Sequence, residues 1–251
     1  MEMRFTTRAD RNAEGSTMSR LFVLLSVLTA SASSAAAQTV DDAGMWFAAF
    51  GNGTLQDADG CDTRYRWWFD SHYRLFDDAG GYGQSIIRPG LGVEVADDQV
   101  LWAGYAWIRT ESRVRVGNVG TMQVDEHRGW EQWTWAPSAG DWRFLHRSRF
   151  EQRWVETGND VGLRFRQLAR AQRLLPGTDG WSLVAWDEVF LNFNDTDWGA
   201  ESGYDQNRAF LGVGLQDFPL KGVRGEVGYL NQHLDRSTDR MNHILSFNVF
   251  F

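Results

Sequence analysis

The chain has 251 residues, with 33 acidic against 25 basic side chains, a formal net charge of -8 and one cysteine. That balance argues against nucleic acid as a partner, because phosphate contacts need a cationic surface, and the lone Cys61 can form no internal disulfide. Hydrophobic residues make up 43% and aromatic residues 14%, with 13 Trp, yet mean hydropathy is -0.43. A helix bundle in lipid could not be so polar, whereas a barrel could, since every second residue of its strands faces a wet lumen.

In chain order, Arg20 precedes the apolar run from Leu21 to Leu28, and small residues follow up to Ala35-Ala36-Ala37-Gln38. This is the charged, apolar and small-residue order of a secretory signal. Residues 1–37 are therefore expected to be that signal, with Met18 as the natural start and cleavage after Ala37, leaving 38–251 as one domain. The apolar run is far shorter than the roughly 20 residues a membrane-spanning helix needs. Trimming removes four arginines (Arg4, Arg8, Arg11, Arg20) and three acids (Glu2, Asp10, Glu14), leaving 21 basic and 30 acidic residues and a net charge of -9. Cys61 lies too far from the cleavage point to be an acylated first residue and is expected to be an inert loop residue.

Segments of alternating polarity then recur between Gly, Asp, Asn and Pro clusters, the repeated hairpin signal of an all-β protein. Strands are expected at 44–51, 63–75, 82–95, 100–115, 122–135, 142–156, 161–174, 181–192, 204–216, 222–234 and 240–251. Most exceed the soluble norm of five or six residues and suit the 9 to 11 needed by a tilted strand in a bilayer. The expected fold is an antiparallel up-and-down transmembrane β-barrel. Eleven antiparallel segments cannot close with both ends on one side, so about 12 strands are expected, with 10 as the alternative. The four prolines, Pro89, Pro137, Pro176 and Pro219, are expected mostly at turns.

The two faces of each strand differ sharply. In the second segment Tyr65, Trp67, Phe69, Tyr73 and Leu75 oppose Arg64, Arg66, Asp70, His72 and Arg74. Phe144, Phe150 and Trp154 oppose Arg147, Arg149, Glu151 and Arg153; Leu163 and Phe165 oppose Arg164 and Arg166; Glu126 and Arg128 share a face, and Arg208 faces away from Ala209 and Leu211. An Arg facing the hydrocarbon midplane costs about 2–4 kcal/mol, so the charged faces belong to the lumen. Glu126, Glu151, Glu188 and Glu226 can interleave with the arginines as a register-holding ladder. The same residues read functionally as an anion-attracting channel, which should lose its preference in Arg149→Glu or Arg166→Glu. Acidic residues such as Asp57, Asp77, Asp78, Asp195 and Asp197 concentrate in turns, where they could hold divalent cations between lipopolysaccharide phosphates. Trp67, Trp102, Trp107, Trp133, Trp135, Trp154 and Trp181 suit an interfacial girdle.

The final strand alternates Met241, His243, Leu245, Phe247, Val249 and Phe251 on one face and stops on the aromatic. It resembles the last strand of bacterial outer-membrane barrels, which implies that the barrel assembly machinery reads Phe251 and that the protein lies in the Gram-negative outer membrane among lipid and lipopolysaccharide. With Phe251 periplasmic, the turns near 76–81, 117–121, 157–160, 193–203 and 235–239 would face outside. Glu126-His127-Arg128, Arg147 through Arg153, Arg164-Phe165-Arg166, Asp187-Glu188-Val189-Phe190 and Tyr204 through Arg208, taken in order, resemble the motifs of the domain-of-unknown-function 2490 family of outer-membrane barrels. That resemblance covers nearly all of 38–251 and implies a barrel without assigning an activity.

An enzymatic reading rests on His146-Arg147-Ser148, whose His-x-Ser spacing on the outer face resembles that of outer-membrane lipid acyl hydrolases. The pattern departs from theirs because Arg149 stands where they carry Asn. A protease-type site could draw only on His72 and His233 near the rim. The histidines His72, His127, His146, His233 and His243 have no short ligand spacing, so neither metal nor cofactor is expected. Gly212 and Gly214 lie within a strand, where they would make room in the lumen rather than bind a nucleotide.

Overall fold

The computed structural model describes residues 40–116, 118–218 and 220–251, with backbone alone over 112–121. The expected signal at 1–37, with Met18 and the expected cleavage after Ala37, and the expected turn at Pro219 lie outside the described residues. Twelve strands follow in order: β1 Val40–Gln56, β2 Asp62–Phe76, β3 Gly81–Ala96, β4 Gln99–Val116, β5 Asn118–Trp135, β6 Ser138–Ala139, β7 Trp142–Val155, β8 Val161–Leu174, β9 Trp181–Asn192, β10 Gly203–Gln216, β11 Arg224–Leu234 and β12 Arg240–Phe250. Their positions follow the alternation of the sequence to within a few residues, and each long strand buries one face while exposing the other.

The expected number of strands is present, but it is reached differently. β6 is two residues long and pairs only with the start of β7, inside the connection that follows β5. The other eleven form the wall, which closes because β5 pairs β7 and β1 pairs β12. The parity objection to eleven fails because β1 and β12 run parallel, in register from Val40↔Arg240 to Phe50↔Phe250. One parallel pair is what an odd number requires, at a slightly weaker pairing per residue. Stacked rings reinforce the seam: Phe47 on Phe247 at 5.2 Å and Phe50 on Phe250 at 4.9 Å. Residues 44–51, whose ability to span was in question, belong to the 17-residue β1.

Pro89 is not at a turn. It sits within β3, where pairing to β4 lapses between Ile87 and Gly90, as a residue without an N–H demands. The outward face is strongly apolar, with Tyr65, Leu91, Leu101, Leu183, Leu211 and Leu245 all exposed. Exposed apolar surface on this scale marks a wall built for a non-aqueous surrounding. Among the described residues no helix is long and apolar enough to cross a membrane.

Two apolar clusters stand inside the wall. One joins Ile86, Val100, Trp102, Ala106, Ile108 and Trp130; the other joins Trp46, Val184, Phe210, Leu230 and Ile244. Trp102 is thus a core residue giving its indole N–H to Thr134 at 2.9 Å, and not part of a girdle. Gly212 faces Gly228 across the β10–β11 ladder, and the Phe210 ring covers both, so these glycines admit an aromatic and do not line open space.

Candidate functional site: the charged lumen

Alternation delivers Arg147, Arg149 and Arg153 of β7 and Arg164, Arg166 and Arg170 of β8 to the lumen, and the ladder β5–β7–β8–β9–β10 brings the carboxylates opposite them. Glu151, with no exposed surface, is the hub. It accepts hydrogen bonds from Arg164 at 2.6 Å and Arg166 at 2.7 Å, with Arg128 at 3.5 Å and Arg149 at 4.0 Å. Glu188 accepts from Arg147 at 2.8 Å and Arg166 at 2.9 Å. Glu126 takes Arg128 in a two-point bond at 2.7 and 2.8 Å, and Arg153 at 2.5 Å. Such forked, charge-assisted bonds fix both strand register and side-chain rotamer.

The lumen residues expected from sequence therefore meet in one network, except Arg208. Arg149 is fully buried, held by Gln132 at 2.8 Å and by the Trp130 ring at 4.7 Å, and it is not among the residues that line the open cavity. It cannot report ion selectivity as the sequence reading assumed, because changing it would disturb packing first.

Asp70 and Glu226, expected on the inner face, join further pairs, whereas Arg88 and Asp205 are absent from the sequence-based set. Asp70 accepts from Trp68 at 2.6 Å and pairs with Arg88 at 3.2 Å and with His72 at 2.9 Å. Arg88 was discoverable as the one cation of β3, on the parity of Ile86. Asp205 pairs with Arg164 at 3.3 Å and Arg236 at 3.0 Å. Simple alternation would miss it, since a register shift between Tyr204 and Gln206 turns two successive side chains inward. Glu226 holds Arg170 and, at 3.2 Å, Arg224.

The groups turned inward by their strands that are buried or half-buried are Arg66, Arg74, Arg88, Arg128, Arg147, Arg149, Arg153, Arg164, Arg166, Arg170, Arg208 and Arg224, against Asp42, Asp70, Glu94, Glu126, Glu151, Glu188, Asp205 and Glu226. Twelve cations face eight carboxylates, an excess of four positive charges inside a chain that is acidic overall. They surround a cavity of about 1980 Å³ whose lining runs from Asp41, Asp78 and Asp235 near the start of β12 to Asp98, Arg224 and Phe250 at the opposite end.

His146 and Ser148 face outward from β7, as the alternation predicts. Ser148 gives its hydroxyl proton to Gln167 at 2.6 Å, and His146 stacks on Trp135 at 5.5 Å. A serine committed to an amide is not one activated by an imidazole. Phe251 gives its backbone N–H to the Phe50 carbonyl at 3.0 Å and lays its ring against Gly51, where a Cβ would come within 2.5 Å of it. Among the described residues no group of three metal-ligating side chains is present.

At the β10 end of the mouth the 193–202 connection folds over the turn at 156–160. Asp197 accepts the backbone N–H groups of Asn159 at 2.8 Å and Asp160 at 3.1 Å, and Trp198 gives its indole N–H to the Asp160 carbonyl at 2.8 Å. Those amides hold the Asp197 carboxyl below the ordinary carboxylate range. A depressed carboxyl stabilises above its unfolded pKa of about 4 and loses that contribution only as pH falls further. Added protease should therefore spare the 193–202 connection at neutral pH and cut it in Asp197→Ala. In the wild type, protection should fail only below about pH 4; cutting of both proteins alike at pH 7 would show that these bonds do not hold it.

A closed wall, apolar outside and charged within, defines the class as a β-barrel of membrane-spanning type. The chain belongs to the family described as protein of unknown function (DUF2490), whose profile matches residues 43–243. An uncharacterised protein of Methylorubrum extorquens is 35% identical over 238 residues, covering 92% of this chain and 96% of that protein. Among solved structures, outer-membrane expressed OmpT of Vibrio cholerae aligns over 69% of this chain and 55% of its own, at 16% identity and a TM-score of 0.39.

Proposed function

We propose that the protein is an outer-membrane barrel through which small anionic solutes pass, assembled by machinery that reads Phe251 and surrounded by lipid and lipopolysaccharide. The observation that carries this reading is the excess of four inward positive charges around a cavity whose lining reaches both ends of the wall. Acidic residues at the mouth, Asp41, Asp78 and Asp235 among them, do not reverse that preference. Exposed charges are screened within about 8 Å at physiological salt, whereas those buried at mid-lumen are screened far less. Anions are thus favoured where the passage is most enclosed.

Single-channel recording of the refolded protein in planar bilayers tests this directly. Conductance steps with a reversal potential favouring chloride over potassium are expected. A folded, incorporated barrel that stays silent would instead make the lumen a structural filling.

A further inference from the structure

We propose that Trp46, Arg74 and Arg208 form a binding site for a phosphate group in the half of the lumen nearer the start of β12; for access, this site rests on the open-lumen reading above. Arg88, Arg128, Arg147, Arg153, Arg164 and Arg166 each meet a carboxylate. Arg74 and Arg208 form no ion pair with any described carboxylate. Glu188, the register partner of Arg208, is taken by Arg147 and Arg166. Arg74 spends one N–H on Gln84 at 2.8 Å.

Both guanidinium groups lie over one indole. Arg74 is 3.9 Å and Arg208 5.0 Å from the centre of the Trp46 ring. Two like charges gathered on one aromatic ring, neither held in an ion pair, are an arrangement that an anion would relieve. The Nε groups of both arginines and the buried Nε1 of Trp46 have no acceptor. Nearly all buried polar groups in folded proteins are partnered; orphaned Nε groups recur at Arg66, Arg88, Arg147 and Arg224, which are ion-paired, but at Arg74 and Arg208 they accompany guanidinium groups that no carboxylate holds, which leaves a place for an outside acceptor. All three residues line the cavity.

The chemistry selects the ligand. Chloride offers no directed acceptors and a carboxylate only two oxygens, whereas a phosphate group offers three or four oxygens and up to two negative charges to a pair of guanidinium forks. Inorganic phosphate and a small phosphate monoester share that chemistry.

Calorimetric titration of the detergent-refolded protein with inorganic phosphate, at fixed ionic strength, tests the site without requiring conduction. Saturable binding is expected, weakened about tenfold or more in Arg74→Gln and in Arg208→Gln, as loss of a charged hydrogen bond implies. Arg173→Gln, on the outer face, should bind as the wild type does. Should the arginine variants fail to refold, Trp46→Phe keeps an aromatic ring, removes the indole donor and must weaken phosphate severalfold. Absence of saturable binding in the wild type, or unchanged affinity in these variants, overturns the proposal. Glycerol 3-phosphate tested beside inorganic phosphate identifies the source by which binds tighter. Phosphate binding by a barrel that is silent in bilayers would sink the channel and leave the site; conduction without phosphate binding would do the reverse.

Discussion

Glu151→Gln is expected to cost about 3–5 kcal/mol, the range for removing one partner of a buried ion pair. Four arginines converge on this carboxylate, two of them within 2.7 Å, and the amide would leave their charge uncompensated where no solvent reaches. Domain stabilities are only about 5–15 kcal/mol, so the variant should refold poorly or unfold at much lower urea, followed by the electrophoretic mobility difference between folded and heated barrel. Arg109→Gln is the contrast. Its bond to Asp125 is comparably short at 2.8 Å, but its side chain is 40% exposed, and surface pairs are worth roughly 0–1 kcal/mol. Equal urea midpoints for the two variants would mean that burial does not set the worth of the network.

Trp130→Ala should be nearly as damaging, at about 3–5 kcal/mol for emptying a packed aromatic site. The indole is 1% exposed, lies over Gly90 and Gly104, and carries the Arg149 guanidinium on its face. A Cβ on Gly104 would come within 2.3 Å of that ring and 2.4 Å of the Pro89 carbonyl, so the glycine is what admits the tryptophan. A urea midpoint within error of the wild type would show that this cluster is wet and loosely filled.

Much of the architecture was legible because a strand's period of two leaves its mark on every segment. The opposition of Tyr65, Phe69 and Tyr73 to Asp70 and Arg74 fixed which side of β2 faced inward, and the same reasoning placed Glu126, Arg147, Glu151 and Arg166 together. What alternation does not encode is which neighbour a strand chooses. It therefore missed the parallel closure of β1 on β12 and gave a false reason for a twelfth wall strand. It also fails wherever the period breaks, which is why Asp205 escaped notice. Periodicity sorts side chains into inside and outside but says nothing of depth. Arg149 and Arg74 look equivalent in sequence, yet one is sealed behind Trp130 and the other borders open space.

The parallel seam also sets where the two limits of the wall lie. Val40 is level with Arg240, so the chain enters the wall at one rim and leaves it, at Phe250, from the other. In a barrel with an even number of strands a tight turn could join first strand to last and the molecule could be cyclised or circularly permuted there. Here a connector would have to travel the full height of β12, eleven residues or about 36 Å at 3.3 Å per residue. Each rim therefore carries one end of the wall, Val40 at one and Phe250 at the other, and tags placed beside them would label the two rims independently.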